Sequence, residues 1–347
     1  EKGSELPMGN PQRNFRGRVV FRGNQVRDED HYMATFQDMG SAPASMASGK
    51  FSDLLGLLPG WRLMQADAVR AYTQALLQGT TTWVRLPREQ WPAHWHGMKD
   101  PVCRLRLALY GHPDAGTCWE RHCEEKLASA GFCPVPNWPG CFVHKKLHAF
   151  LTVYVDDFKL SCAEKHADAA WHAIKAQLQL EEPTPLDRYL GCTHVEEGGY
   201  LKNPARTPGR TLPRLSDGFR GEKSPPPEHR VRSLRYDMVS FVDQCVEAYK
   251  SLAGPDARPL QKVATPFLDE STAWIPPEGE PTGVLKNVAL KILMNILYAA
   301  RMVRSDVLRA TCMLARRVAK WCPECDRRLH RLVSYLQATR EAQQYAF

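Results

Sequence analysis

Three aspartates are placed where they could hold divalent cations for phosphoryl transfer. Asp67 closes the run RLMQAD, and Asp156 and Asp157 stand side by side between AFLTVYV (149–155) and FKLSC (158–162). Carboxylates held this close repel unless something compensates. A divalent cation does. Two such ions, one activating an attacking 3′ hydroxyl and one neutralising a triphosphate and its leaving pyrophosphate, make a nucleotidyl transfer. Mg²⁺ suits the role, with Mn²⁺ as a substitute, because Mg²⁺ takes a few carboxylates beside phosphate oxygens and retained waters. Successive strand side chains point to opposite faces, so only a turn can aim the pair at one site. Asp67 and Asp156 are therefore expected to bridge the ions, and Asp157 to make a weaker or water-mediated contact. Two aspartates between strands also make an ordinary solvent turn, and YVDD alone does not separate the two readings.

The elements around these acids follow a recognisable order. RLMQADAV reads as a buried strand ending on an acid, and TTWVRLP as a second short strand. Asp114 to Gly131 reads as a helix, with Trp119, Cys123 and Leu127 on one face and Gly131 as its stop. GCFVHK (140–145), AFLTVYV and FKLSC read as strands, the last two forming a hairpin with Asp156 and Asp157 at its tip. A helix over 166–180 and a strand over 188–195 complete the series. Strand, helix, strand, hairpin, helix, strand is close to a split βαβ arrangement, with two helices on one face of an antiparallel sheet.

Upstream, Arg16 to Arg22 (RGRVVFR) is a basic, β-like run, and 40–50 reads as loop. Residues 201–232, rich in Pro, Gly and Arg, read as an inserted, disordered segment and a domain boundary. Beyond it, helices are predicted over 236–252, 284–300, 307–320 and 326–339. The domains so drawn are 13–60, 61–200, the insertion 201–232, and a helical region 233–347.

Composition bounds the reading without deciding it. Hydrophobic residues at 43% and charged residues at 24% describe an ordinary globular chain. Lys and Arg outnumber Asp and Glu by 46 to 38, giving +8 at pH 7, which suits a polyanionic partner as well as a mildly basic surface. Eleven cysteines without framework spacing suggest a reduced, intracellular chain. Cys322 and Cys325 (WCPEC) have metal-like spacing but no second pair, so a loop with two incidental thiols is the simpler reading. The most apolar stretch, 288–300, is broken by Lys291 and Asn295, so no membrane span is expected. The sequence begins at Glu1, as a piece of something longer would.

From Asp67 and the YVDD at 154–157 outward, the chain resembles the reverse transcriptases of copia-type long-terminal-repeat retrotransposons. RGRVVFRG (16–23) is similar to the family's basic KARLVAKG, and DAVRAYTQA (67–75) to its DVKTAFLNG. CRLRLALYGHPDAGTCW (103–119) resembles CKLKKSLYGLKQAPRQW, and LTVYVDDFKLSC resembles LLLYVDDMLITG. DRYLGCTHV resembles LKYFLGIEI, and in ILYAARMVRSDVLRATCML the family's RPD becomes Arg304, Ser305 and Asp306. Departures gather in one stretch: Asp114 stands for a glutamine near the incoming nucleotide, Pro113 for a lysine and Thr117 for an arginine.

The resemblance implies an α+β right-hand polymerase fold: fingers over 13–60, a split-βαβ palm over 61–200 and a helical thumb or connection region over 233–347. It implies RNA-directed DNA polymerase activity with two Mg²⁺ ions on Asp67, Asp156 and Asp157. Arg18 and Arg22 are implied contacts of the triphosphate, Tyr72 the steric gate against a ribose 2′ hydroxyl, and Asp114 a neighbour of the nucleotide. A core aromatic at Tyr72 and a solvated basic strand at the arginines remain equally open. Implied partners are an RNA template, a DNA primer and product, and deoxynucleoside triphosphates, with integrase and RNase H segments elsewhere in a Pol polyprotein. Location is implied in cytoplasmic virus-like particles or the nucleus. A second reading keeps fold and basic surface as a nucleic-acid-binding module that has lost catalysis, which the changes at 113–117 would suit.

Overall fold

The computed structural model describes residues 19–34, 42–201, 229–254, 258–268 and 281–347. Arg16, Arg18 and residues 202–228 of the insertion lie outside them. The chain forms two compact units, Glu1–Ser48 with Ala66–Thr184, and Gly49–Gln65 with Pro185–Phe347. The mixture of helix and sheet is the expected α+β class.

Helix α1 (Met46–Gly56) precedes β1 (Trp61–Asp67), whose last two residues enter the first unit. A small ladder pairs β2 (Trp83–Val84) with β3 (Cys103–Arg104). Then come α2 (Ala115–Ser129), β4 (Cys133–Pro134), β5 (Cys141–His144), β6 (Ala149–Tyr154), β7 (Asp157–Ala163), α3 (Ala167–Lys175) and β8 (Thr184–Pro185). The sheet order is β4–β5–β6–β7–β1–β8. β1 thus lies between β7 and β8, the strands that α3 joins, which is the split crossover expected. Residues 149–153 and 158–162 are buried without alternation, so this hairpin is covered on both faces.

Helix α2 buries Trp119, Cys123 and Leu127, the face read from the sequence. It stops where Gly131 takes φ +87° and Phe132 N–H returns to Leu127 O at 2.9 Å. A Cβ at Gly131 would meet His144 Nε2 at 2.7 Å, so the stop is also a close approach. Helix α3 ends earlier than the expected residue 180. Leu180 bridges Ala68, and Val69 N–H reaches Gln179 O at 2.9 Å, so pairing beside β1 takes over from the helix. The basic run is not a regular strand within its described part. Phe21 N–H bonds Tyr110 O at 2.7 Å, and a 3-10 turn begins at Gly23.

In the second unit, β9 (Arg188–Tyr189), β10 (Cys192–Leu201), β11 (His229–Asp237) and β12 (Gln344–Ala346) form a sheet of order β12–β11–β10–β9. The strand expected over 188–195 is two strands, because Leu190 and Gly191 turn the chain with φ +48° and +75°. β10 and β11 pair from Thr193↔Asp237 to Leu201↔His229, so the two sides of the insertion belong to one ladder. Beneath it Asp53, 1% exposed, accepts from Tyr236 Oη at 3.0 Å, with His194 Nε2 3.8 Å away. Burial first, and then Asp53, push the Tyr236 hydroxyl pKa upward.

Helices α4 (Val239–Ala253), α5 (Lys286–Met302), α6 (Leu308–Ala315) and α7 (Pro323–Ala338) share an apolar core including Val246, Leu293, Ile296, Leu314 and Leu332. Arg304 follows α5 and is 1% exposed. Its guanidinium forks onto Asp306 at 3.0 and 2.8 Å and reaches Thr339 O and Oγ1 at 3.0 and 2.6 Å. None of the eleven cysteines, all of them among the described residues, is in a disulfide. No helix among the described residues is long and apolar enough to cross a membrane.

Candidate active site

The hairpin tip differs by one residue from the expected Asp156–Asp157 turn. Tyr154 pairs with Asp157, so Val155 and Asp156 are the turn and Asp157 is the first residue of β7. Val155 carries φ +57°, a conformation that crowds a β-branched side chain and that turn propensity assigns to Asn, Asp or Gly. Tertiary bonds hold it there. Trp119 Nε1 donates to Val155 O at 2.7 Å, fixing the tip to α2.

β1 delivers Asp67 to the same place. Ala68 N–H donates to Asp156 O at 2.7 Å, while Glu181 N–H donates to Asp67 O at 2.8 Å. The end of β1 is thus bonded on one side to the hairpin turn and on the other to the chain after α3. Gln74 reinforces it by donating to Val69 O at 2.8 Å and accepting from Gln179 N–H at 3.0 Å. Asp67, Asp156 and Asp157 are all half-buried, so they reach solvent from a fixed backbone. Among the described residues no group of three or more His, Cys, Asp or Glu side chains is gathered closely enough to hold a metal ion. The backbone therefore adjoins Asp67 and Asp156, but the expected three-acid metal cluster is not gathered. Mg²⁺ needs only one or two protein carboxylates when substrate phosphates and water supply its other oxygens, so the donor chemistry fits that ion.

Tyr72 lies on the 3-10 turn Ala71–Gln74 directly after β1, which Arg70 enters with φ +51°. Its ring is half-buried and meets Tyr110 edge-on at 4.6 Å. Burial raises the Tyr72 hydroxyl pKa, with further contributions from the negative charge of Asp156 and from Tyr110. Tyr72 is therefore within electrostatic reach of the turn carboxylate. The hollow beneath it, about 40 Å³ and shared with Trp119 and Val155, is water-sized rather than nucleotide-sized.

Of the other expected nucleotide contacts, only Arg22 and Asp114 are among the described residues. Arg22 is exposed at the start of the Gly23–Gln25 turn, and Arg18 lies outside the described residues. Asp114 is the N-cap residue of α2; its N–H donates to His112 Nδ1 at 3.1 Å and its carbonyl accepts from Cys118 N–H at 3.0 Å. A negative charge there complements the positive end of the helix dipole. His112 is buried and shares a hydrogen bond with Thr82 Oγ1 at 3.0 Å; burial lowers its pKa, against a smaller upward pull from Asp114.

Sequence reading missed Tyr110 and gave Trp119 only a core role. Tyr110 links the basic run, through Phe21 N–H, to Tyr72, and Trp119 anchors the turn. An aromatic beside a glycine, as in LYG, was the one available signal for Tyr110.

The chain is similar to known proteins. Residues 9–204 match the family described as "Reverse transcriptase (RNA-dependent DNA polymerase)". The chain is also similar to "Retrovirus-related Pol polyprotein from transposon RE2" of Arabidopsis thaliana, 26% identical, over 64% of this chain and 16% of that protein. It spans about a sixth of that relative's length.

Proposed function

Because the chain belongs to the reverse transcriptase (RNA-dependent DNA polymerase) family, we propose that it is the polymerase region of a copia-type retrotransposon Pol polyprotein, making DNA on an RNA template. The Ala68–Asp156 bond carries this reading, since it sets the first aspartate's strand against the turn that bears the second. Asp67 and Asp156 would hold two Mg²⁺ ions, with Asp157 contributing more weakly. When bound, such ions activate the primer 3′ hydroxyl and neutralise the triphosphate. The main-chain bonds of Ala68 and Glu181 fix the backbone that bears both residues, which favours a site with little reorganisation at the moment of reaction.

Tyr72, on the rigid turn after Asp67, is assigned to the sugar of the incoming deoxynucleoside triphosphate, and Arg18 and Arg22 to its phosphates. Asp114 is assigned to the N-cap position of α2, where a negative charge complements the positive end of the helix dipole. No observation favours the reading without catalysis. Residues 13–60 are assigned to fingers, 61–200 to palm and 233–347 to a thumb or connection region. Integrase and RNase H partners, a DNA primer, and assembly in cytoplasmic particles or the nucleus belong to the same proposal.

Primer extension on poly(rA)/oligo(dT) with Mg²⁺ or Mn²⁺, beside Asp156→Asn, tests it. Extension by the wild type and none by the variant is expected. A folded wild type that binds RNA and never extends the primer would contradict it.

A further inference from the structure

The turn Trp321–Asp326 carries chemistry that the polymerase reading does not use. Cys322 is the N-cap residue of α7, with φ −127° and ψ 171°; Pro323 opens the helix and Cys325 lies in its first turn. Cys325 N–H donates to Cys322 O at 2.9 Å, and the two Sγ atoms stand 3.7 Å apart. The turn's own last carboxylate ties it to the chain before α5. Asp326 accepts from Trp321 Nε1 at 2.7 Å, Val284 N–H at 2.7 Å and Leu285 N–H at 3.2 Å. Gly283 packs against it so closely that a Cβ there would lie 2.6 Å from Cys322 O. The thiols are therefore neighbours in a rigid frame.

From 3.7 Å the sulfurs need only a small side-chain adjustment to reach the S–S bond length of about 2.05 Å. The two are not equivalent. Cys322 is 8% exposed at the positive end of a helix of sixteen residues, and Cys325 is 1% exposed one turn deeper. Cys322, the more exposed of the two and at the helix end, is therefore the attacking sulfur, and Cys325, whose thiol pKa burial pushes upward, is the resolving one. Metal binding has no support, since no third ligand of the His, Cys, Asp or Glu type is gathered among the described residues.

We propose that Cys322 and Cys325 form a redox-active dithiol site that takes a small-molecule disulfide, of the glutathione disulfide type, as its co-substrate. The Cys322 thiolate attacks one glutathione sulfur, breaking the glutathione S–S bond and expelling a glutathione thiolate, which takes up the proton Cys322 released. Cys325 loses its proton to solvent and attacks the mixed disulfide, expelling the second glutathione thiolate, which is protonated in turn. Two protein thiols and one glutathione disulfide become one protein disulfide and two glutathione thiols. Two electrons pass from the protein to glutathione.

The test uses the whole reduced chain, equilibrated with defined mixtures of oxidised and reduced glutathione, quenched in acid, alkylated with N-ethylmaleimide and read by peptide mass spectrometry. The peptide spanning 322–325 should pass from doubly alkylated to internally bridged as the mixture becomes more oxidising. Cys325→Ser should trap glutathione on Cys322, and Cys322→Ser should load Cys325 at least about tenfold more slowly. A folded wild type whose two thiols stay fully alkylatable in oxidised glutathione would overturn the proposal, as would equal loading of the two variants. The wild-type result decides alone if a variant does not fold, and none of these readouts depends on polymerase activity.

Discussion

Ala68 N–H and Asp156 O are 2.7 Å apart, and this one bond ties the end of β1 to the turn of the β6–β7 hairpin. Asp67 and Asp156 are thereby positioned by backbone, independently of the charge their side chains carry. Replacing either carboxylate by an amide should leave the fold intact while removing ligand charge. Asp67→Asn and Asp156→Asn are each expected to lower primer extension by about 10²–10⁴, the equivalent of several kcal/mol of lost transition-state stabilisation. Extension rates beside circular dichroism spectra would check it; an unfolded variant, or undiminished extension, would go against the assignment.

Trp119 and Val155 supply a second prediction. Trp119→Phe keeps a buried aromatic ring but removes the donor to Val155 O, together with part of the indole's volume. The expected loss is about 1–3 kcal/mol of stability, because a part-buried carbonyl is left without its indole partner. Val155→Gly acts oppositely on strain: it relieves about 1–2 kcal/mol of left-handed crowding and loses roughly half of that to the greater freedom of the unfolded chain. Urea unfolding of the two variants should show a clear loss for the first and a change within about 1 kcal/mol for the second.

His112 gives the first unit a pH dependence. Its folded pKa lies below its unfolded value, with burial the largest cause, so protons favour the unfolded chain. Stability is fully present above about pH 6.5 and falls as pH drops from there toward the lowered folded value. Protonation would also turn Nδ1 from the acceptor of Asp114 N–H into a donor facing it. The wild type should lose stability between about pH 7.5 and 5.5, and His112→Gln should lose markedly less over the same range. Matched unfolding curves at the two pH values measure this, and identical losses would exclude His112 as the source.

Arg304 and Asp306 make a prediction for the second unit. Burial pushes the Asp306 carboxyl upward, but the bonds and charge of Arg304 outweigh it and hold the group below the usual carboxylate range. The contribution of the pair is present above about pH 4 and fades as pH falls through the lowered folded value. Arg304→Met should cost about 1–3 kcal/mol, mainly because it leaves two part-buried acceptors on Thr339 without their donor, while the exposed Asp306 carboxylate returns to water. A double-mutant cycle with Asp306→Asn should show losses that are less than additive. Additive losses would mean that the two residues do not act as a pair.

Periodicity was enough for the elements that bury one face. Trp119, Cys123 and Leu127 on α2 are buried as their spacing requires; of Val239, Val242, Val246 and Tyr249, which spacing places on one face of α4, the last three are buried and Val239 is half-buried. Of the three aspartates singled out, Asp67 and Asp156 are brought together by backbone bonding, while a three-acid metal cluster is not gathered among the described residues. What was not legible depends on partners distant in sequence. Turn propensity places Asp156 and Asp157 at the hairpin tip, yet bonds from Ala68 and Trp119 settle it on Val155 and Asp156. The helix over 166–180 loses its last turn to pairing with the chain around Ala68. Asp114 looked like a misplaced charge until the start of α2 gave it a cap position. The WCPEC stretch, read as a loop, instead caps and opens α7, with Pro323 as its first residue.

The β10–β11 ladder stays in register to Leu201↔His229, so the segment between its strands departs and returns at neighbouring points. Alignment of the ladder comes from Cys192, His194, Leu234 and Tyr236 being buried, and owes nothing to the length of what joins it. The segment's two ends, Leu201 and His229, are therefore fixed neighbours, set by the pairing of the ladder itself.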